Sequence, residues 1–332
     1  MKNWNSAVGI IALSGLKGIG PAFCKKAVTA NSFSSQSTLE SIQRILSVNS
    51  KIFDDEIIQD AIRKASEVIA RCSEEEISIV EATAKDYPSA LKEIKDPPPV
   101  LYCKGNLQLL SHKTLCVIGT RKPNERGEKI AERIGAHFSN RDWVICNGLA
   151  EGIDSCSIMA CGKIHGKVIG VLAGGLDFSK SKTLLKNTAA NAEKLLSNGG
   201  LLVSENPPGK REDTFSVVKS CRIQAGLSQG LILVESSIGG GSRFTAKAFC
   251  ETERPFAVAH PMQLDFELPA YSANKAIIEF MRKGLAMFTE LKEDKIRTKT
   301  IFVIQSKDDY QVFESLIAGV QRNAQTVERT LL

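Results

Sequence analysis

Histidine is scarce in this chain, with four in 332 residues, and none of its nine cysteines forms a Cys-x-x-Cys pair. Zinc-ligand spacing is therefore missing, and no metal or other cofactor is expected. The cysteines are scattered, many inside apolar runs (Cys116, Cys146, Cys161, Cys250), as buried reduced thiols are. Aromatic residues make up only 6% of the chain. A strand-binding surface dominated by aromatic stacking platforms is not expected from so few rings. No apolar run approaches the ~20 residues that a membrane helix needs, and no signal-peptide pattern opens the chain. The expectation is a soluble, cytoplasmic protein with no membrane partner.

The hydrophobic (43%) and charged (24%) fractions are those of an ordinary globular protein, long enough for more than one domain. Net charge is +6. A mild surplus of that sign permits a nucleic-acid or nucleotide partner, and suits solubility equally well.

Three blocks emerge along the chain. Residues 1–86 carry helical patterns over Thr38 to Val48 and Asp54 to Cys72, with little strand character. Asn31 to Ser37 reads as a loop. A proline-punctuated bridge then runs from Tyr87-Pro88 to Pro97-Pro98-Pro99. The main block, 87–292, alternates apolar runs with helical patterns. The runs lie at Leu115–Ile118, Trp143–Cys146, Val168–Leu172, Leu201–Val203, Leu231–Val234 and Phe256–Ala259. The helical patterns cover Arg126–Ser139, Ser155–Gly162, Leu184–Leu196, Lys219–Leu227 and Phe244–Glu251. Continuous apolar strands between helices predict an α/β fold, a doubly wound, mostly parallel sheet covered on both faces, beside a small all-α N-terminal domain. In residues 293–332, Ile301–Ile304 suits a strand, Val312–Val320 a helix, and Arg322 to Leu332 a polar tail.

Each glycine-rich turn follows one of these strands. They are Gly119-Thr120-Arg121, Gly148-Leu149-Ala150-Glu151-Gly152-Ile153-Asp154, Gly174-Gly175-Leu176-Asp177 and Gly239-Gly240-Gly241-Ser242. In a parallel sheet they share one edge, where such folds bind ligands. Gly119-Thr120-Arg121 sets an arginine just ahead of a helix start, an arrangement that favours a phosphate. Pairing of Arg121 with Asp154 or Glu235 is the bland alternative. Asp154 and Asp177 are read as helix caps, and Glu205 and Glu235 as hydrogen-bonding carboxylates rather than an acid–base pair. No catalytic residue is expected. Phe244 is read as core, or else as a stacking residue.

Near the start, Gly15-Leu16-Lys17-Gly18-Ile19-Gly20 resembles a helix-hairpin-helix turn, whose amides approach a phosphate closely with Lys17, Lys25 and Lys26 adding charge. A plain turn between helices needs the same small residues, and both readings stand.

The ordered blocks together resemble the DprA/Smf DNA-processing family. Carrying the resemblance are Tyr87-Pro88, Pro97 through Asn106, Val117 through Arg121, Gly148 through Asp154 and Val171 through Asp177. Ser204-Glu205, Arg222 through Ser228, Val234-Glu235, Gly240-Gly241-Ser242 with Thr245-Ala246, and Ser272 through Ile278 complete it. The resemblance implies an extended Rossmann-like domain that binds single-stranded DNA, assists a RecA-type recombinase in transformation or repair, and self-associates as a homo-oligomer. It implies no chemical reaction.

The departures lie in the site itself. Asn147 replaces the family's serine, Ser157-Ile158 its Ala-His, and Lys180-Ser181 its Tyr-Pro. The family's Phe-Pro-x-Arg-Asn-Arg-Ile reads Val217-Val218-Lys219-Ser220-Cys221-Arg222-Ile223, so one arginine and the asparagine are gone. No C-terminal winged helix is recognisable. The expected phosphate contacts are Arg121, Lys219 and Arg222, with the turn residues Gly119, Thr120, Gly148, Gly240, Gly241 and Ser242, and with Lys17. A nucleotide-sensing domain of the wider DprA–LOG superfamily is the alternative. A LOG-type phosphoribohydrolase is disfavoured, because residues 239–245 lack that signature's proline and place no glutamate at the matching distance.

Overall fold

The computed structural model describes residues 5–24, 37–159 and 164–330. Lys25, Lys26, Cys161 and the expected loop at 31–36 lie outside the described residues.

Three helices open the chain: α1 (Asn5–Gly15), α2 (Thr38–Val48) and α3 (Asp55–Glu74). Ser37 caps α2 with a capping box closed by Glu40. This starts the helix at the first residue of the expected pattern. Ile42, Ile45 and Leu46 of α2, with Ile58 and Ala65 of α3, form one apolar stripe each and pack on Ile10 and Leu13 of α1.

Nine strands then build one sheet. They are β1 (Ser78–Glu81), β2 (Val100–Gly105), β3 (Thr114–Ile118), β4 (Val144–Asn147), β5 (Val168–Leu172), β6 (Leu201–Ser204), β7 (Gly230–Leu233), β8 (Phe256–Ala259) and β9 (Ile301–Ile304). Their spatial order is β1-β2-β6-β5-β4-β3-β7-β8-β9. The seven strands from β6 to β9 pair in parallel, whereas β2 runs antiparallel to both β1 and β6.

Between them lie α4 (Ser89–Lys92), α5 (Glu125–Ser139), α6 (Ile153–Met159), α7 (Phe178–Ser181), α8 (Lys186–Ser197), α9 (Thr214–Leu227), α10 (Arg243–Cys250), α11 (Ser272–Phe280) and α12 (Arg282–Thr289), and α13 (Asp309–Thr330) follows β9. Alternate strand residues face opposite sides. Leu115, Val117, Ile145, Leu202 and Ile232 share one core with Ile134 and Phe138 of α5 and Phe313 of α13. Their neighbours Cys116, Ile118, Leu231 and Leu233 pack on α9 to α12 through Ala225, Phe249, Ile277 and Phe288. Both faces are covered, which is why these strands read as unbroken apolar runs.

The sheet reaches past both expected boundaries. β1 falls within the segment read as wholly helical. Four residues long and at the sheet edge, it offers too few positions for a pattern to register. β9 lies beyond 292 and completes the parallel array. α13 likewise continues through Thr330, where a polar tail was expected. α9 starts five residues before the expected Lys219, because Asp213 and Ser216 close a capping box at its N-terminus. The first core also runs without interruption from α1–α3 through Val100 and Tyr102, so the helical region and the sheet share apolar packing.

Candidate nucleic-acid interface

β3 leads successively to β4, β5 and β6 on one side, after which β7 returns to the other side of β3. The order of strands therefore reverses between β3 and β7, and a crevice opens beyond their carboxyl ends. The turns after β3, β4 and β7 meet there.

Close backbone approach builds this place. The Thr120 amide donates to the Glu235 carbonyl (2.7 Å) and the Ile153 amide to the Thr120 carbonyl (3.1 Å). A side chain at Gly119 would lie 2.5 Å from Ile153 Cγ1 and 2.8 Å from the Glu235 carbonyl oxygen. Gly152 has φ of +78°, and a Cβ there would sit 2.4 Å from the Thr120 oxygen and 2.7 Å from Arg121 Cα. Only glycine fits both demands. The turn thus carries Arg121 on a tightly seated backbone.

Arg121 is exposed, and among the described residues no carboxylate lies within salt-bridge distance of it. The expected alternative pairing with Asp154 or Glu235 is not made. The carboxyl of Asp154 instead accepts from the Gly148 amide (3.0 Å) and the Ala150 amide (3.3 Å). Burial pushes its pKa up to about 7, against the pull of these amides and of the Arg121 charge. Asp154 is thus a clamp on the β4 loop, not a helix cap. Asn147, where the family carries serine, donates to the Asp154 carbonyl and to Ser157 Oγ (both 3.1 Å) and accepts from the Leu149 amide (3.0 Å). Glu235 accepts from the Asn124 amide (3.2 Å) at the start of α5.

On the β7 side, the Gly240 amide turns inward to the Ser237 carbonyl (2.9 Å). The expected cradle of three amides is therefore two: among the described residues, the Gly241 and Ser242 amides have no intramolecular acceptor. Ser242 Oγ meets Ser236 Oγ at 2.8 Å. Phe244 is half-buried, and the Arg243 guanidinium covers its ring at 4.8 Å. One ring face is thereby taken, against its reading as an open stacking surface. Residues not singled out from the pattern also line this neighbourhood. The Cys221 thiol donates to the Val217 carbonyl (3.4 Å), and Thr245 Oγ1 donates to Gln224 Oε1 (3.4 Å).

The expectation of three converging cations is corrected at Arg222. Its Nη1 and Nη2 donate to the two carboxylate oxygens of Glu205 (2.7 and 2.8 Å). Nε donates to the Asp96 carbonyl (2.8 Å), and Nη1 also reaches the Lys219 carbonyl (2.8 Å). A guanidinium has five N–H groups, so this leaves one for any ligand. Burial raises the Glu205 pKa, but Arg222 and Lys219 together hold it below the usual range. Lys219 Nζ is 3.1 Å from Glu205. Neither is a free phosphate clamp on the β3–β7 crevice. Lys17, exposed on the turn after α1, faces the helical region's junction with the sheet, as Lys219 does.

Asp177 occupies the N-cap position of α7 but makes no side-chain cap bond: its carboxylate accepts from the Gly209 amide (2.8 Å) and from Arg71 of α3, joining the helical region to the third glycine turn.

The model of the family described as DNA recombination-mediator protein A matches residues 78–297, opening at β1. The DNA processing protein DprA of Bacillus subtilis (strain 168) is 34% identical over 203 residues, covering 60% of this chain and 67% of that protein. The fold matches the X-ray structure of DNA processing protein A from Streptococcus pneumoniae with a TM-score of 0.67 at 26% identity, over 94% of this chain and 98% of that one. It also matches DNA processing protein A of Helicobacter pylori, described for its single-stranded-DNA-binding mode, with a TM-score of 0.55 at 20% identity. That match spans 75% of this chain and 97% of the other. With residues 78–297, about two thirds of its length, matched by the family model, this chain belongs to the DNA recombination-mediator protein A family.

Proposed function

We propose that this protein binds single-stranded DNA along the β3–β7 crevice and acts as a DNA-processing recombination mediator that hands the strand to a RecA-type recombinase. The observation that carries this reading is Arg121, an exposed guanidinium with no carboxylate partner among the described residues, set on a rigid turn at the sheet's switch point. The free amides of Gly241 and Ser242 supply a second group of donors on the same edge. Such contacts follow a sugar-phosphate backbone without reading sequence. Family membership and the DNA-binding description of the Helicobacter pylori relative support the same partner.

The role is one of binding rather than catalysis. Asp154, Asp177 and Glu205 are each committed to loop amides or arginines, so none is poised as an acid or base. Self-association fits the exposed apolar residues Phe280, Met281 and Met287 around the α11–α12 junction.

Titration of labelled oligonucleotides across a salt series tests the reading. Binding should weaken linearly in logarithmic coordinates through counterion release, with a slope of about 0.7 per neutralised phosphate. Absent binding at micromolar protein, or binding indifferent to salt, would defeat it.

A further inference from the structure

A cavity of about 760 Å³ lies where the helical region meets the sheet, beside β2 and β6, with β5 and β4 between β6 and the strand-order reversal at β3. Its floor is Val100 and Tyr102 of β2. Its roof is α3 with Phe53, and the turn after α1 closes one side. The volume falls in the ~300–1,000 Å³ range of small-molecule sites, and a junction between structural units is where they commonly form.

Two features define what it accepts. The wall is largely apolar, with the rings of Phe53 and Tyr102. It also carries one cation, Lys17, that the protein's own carboxylates do not absorb. Lys219 pairs with Glu205 at 3.1 Å, while Arg222 divides its charge between Glu205 and Asp96 (Nε to Oδ2, 3.1 Å). Lys17 has no carboxylate within salt-bridge distance among the described residues. Lys64, by contrast, is neutralised by Asp60 at 2.7 Å. Asn206 adds a polar edge: its amide nitrogen donates to the Ala173 carbonyl (2.6 Å), and its Oδ1 has no donor among the described residues. A flexible acyl chain has no use for that acceptor, whereas a nucleobase presents N–H donors on a flat apolar body.

We propose that this cavity binds a nucleoside phosphate, with its base against the apolar wall and Asn206 and its phosphate on Lys17. The same chemistry comes from two sources, a free nucleotide or a nucleotide of a bound strand. The site is separate from Arg121 and goes beyond the strand-binding reading.

Calorimetric titration with dAMP and anisotropy titration with a labelled oligonucleotide, each on the full chain, separate the sources. The variants are Lys17→Ala, at an exposed position, Ala61→Trp, which fills the cavity from α3, and Arg121→Ala as the control. Loss of one charged contact should weaken binding about tenfold in Lys17→Ala. If dAMP binds, loses affinity in Lys17→Ala and Ala61→Trp, and is untouched by Arg121→Ala, the ligand is the free nucleotide. If dAMP does not bind but the oligonucleotide is weakened by both cavity variants, the occupant is a nucleotide of the strand. The proposal is overturned if neither ligand responds to Lys17→Ala, or if decanoate binds the cavity while neither dAMP nor the oligonucleotide responds to the cavity variants. Arg121→Ala decides the crevice independently, so failure of one site is distinguishable from failure of the other.

Discussion

Arg222 and Glu205 face each other fork to fork, Nη1 to Oε1 at 2.7 Å and Nη2 to Oε2 at 2.8 Å, with both side chains largely buried. Removing one partner strands the other charge in a low-dielectric setting. Arg222→Ala should cost about 3 kcal/mol of stability, read by urea unfolding, while Arg222→Lys loses the two-point geometry and falls between. An unchanged unfolding midpoint in Arg222→Ala would show that the pair is not structural.

Arg121→Ala removes a side chain that holds nothing else in place. Thermal unfolding should be unchanged within about 0.5 kcal/mol, as for surface substitutions generally. Oligonucleotide affinity should fall about tenfold for all sequences alike, and the salt slope should drop by roughly one phosphate's share. Loss restricted to particular sequences would contradict a backbone contact.

Gly152→Ala tests the seat of that turn. At φ of +78°, with the Thr120 oxygen 2.4 Å from the added Cβ, the backbone must move. A cost of about 2–3 kcal/mol is expected, together with weaker oligonucleotide binding even at temperatures where the variant is fully folded. Retained affinity in a folded variant would mean that the position of Arg121 does not matter.

Asp154 sets a pH dependence. Its folded pKa, about 7, lies above the ordinary carboxylate value, so the native state holds the proton while the unfolded chain releases it. Its contribution to stability is therefore complete in acid and is lost as pH rises from about 4 to 7, then stays constant above. Asp154→Asn keeps an acceptor for the Gly148 and Ala150 amides without the charge. Its stability relative to the parent should improve across that window, measured by urea unfolding at stepped pH. A flat difference would place the titration elsewhere.

Much of the sheet is legible in the chain. Val168–Leu172 and Phe256–Ala259 match their strands end to end, because residues buried on both sides must be apolar without interruption; Ile301–Ile304 also matches its strand, though at the sheet edge it is only partly buried. β1 is silent, since its partners in β2 lie some twenty residues on and its edge position asks little of its side chains. The capping box at Asp213 was in plain view as Asp-x-x-Ser, yet the apolar periodicity resumes only after it.

By itself the sequence determined that the glycine turns share one edge: they follow parallel strands, and direction alone places them. It could not decide which cations that edge receives. Cys221 and Arg222 are adjacent, but successive helix residues point about 100° apart, so the Cys221 thiol folds back on the Val217 carbonyl while Arg222 turns to Glu205 and Asp96. Only the packed helix, with carboxylates brought from 17 and 126 residues away, fixes that outcome, because pairing depends on distance in space.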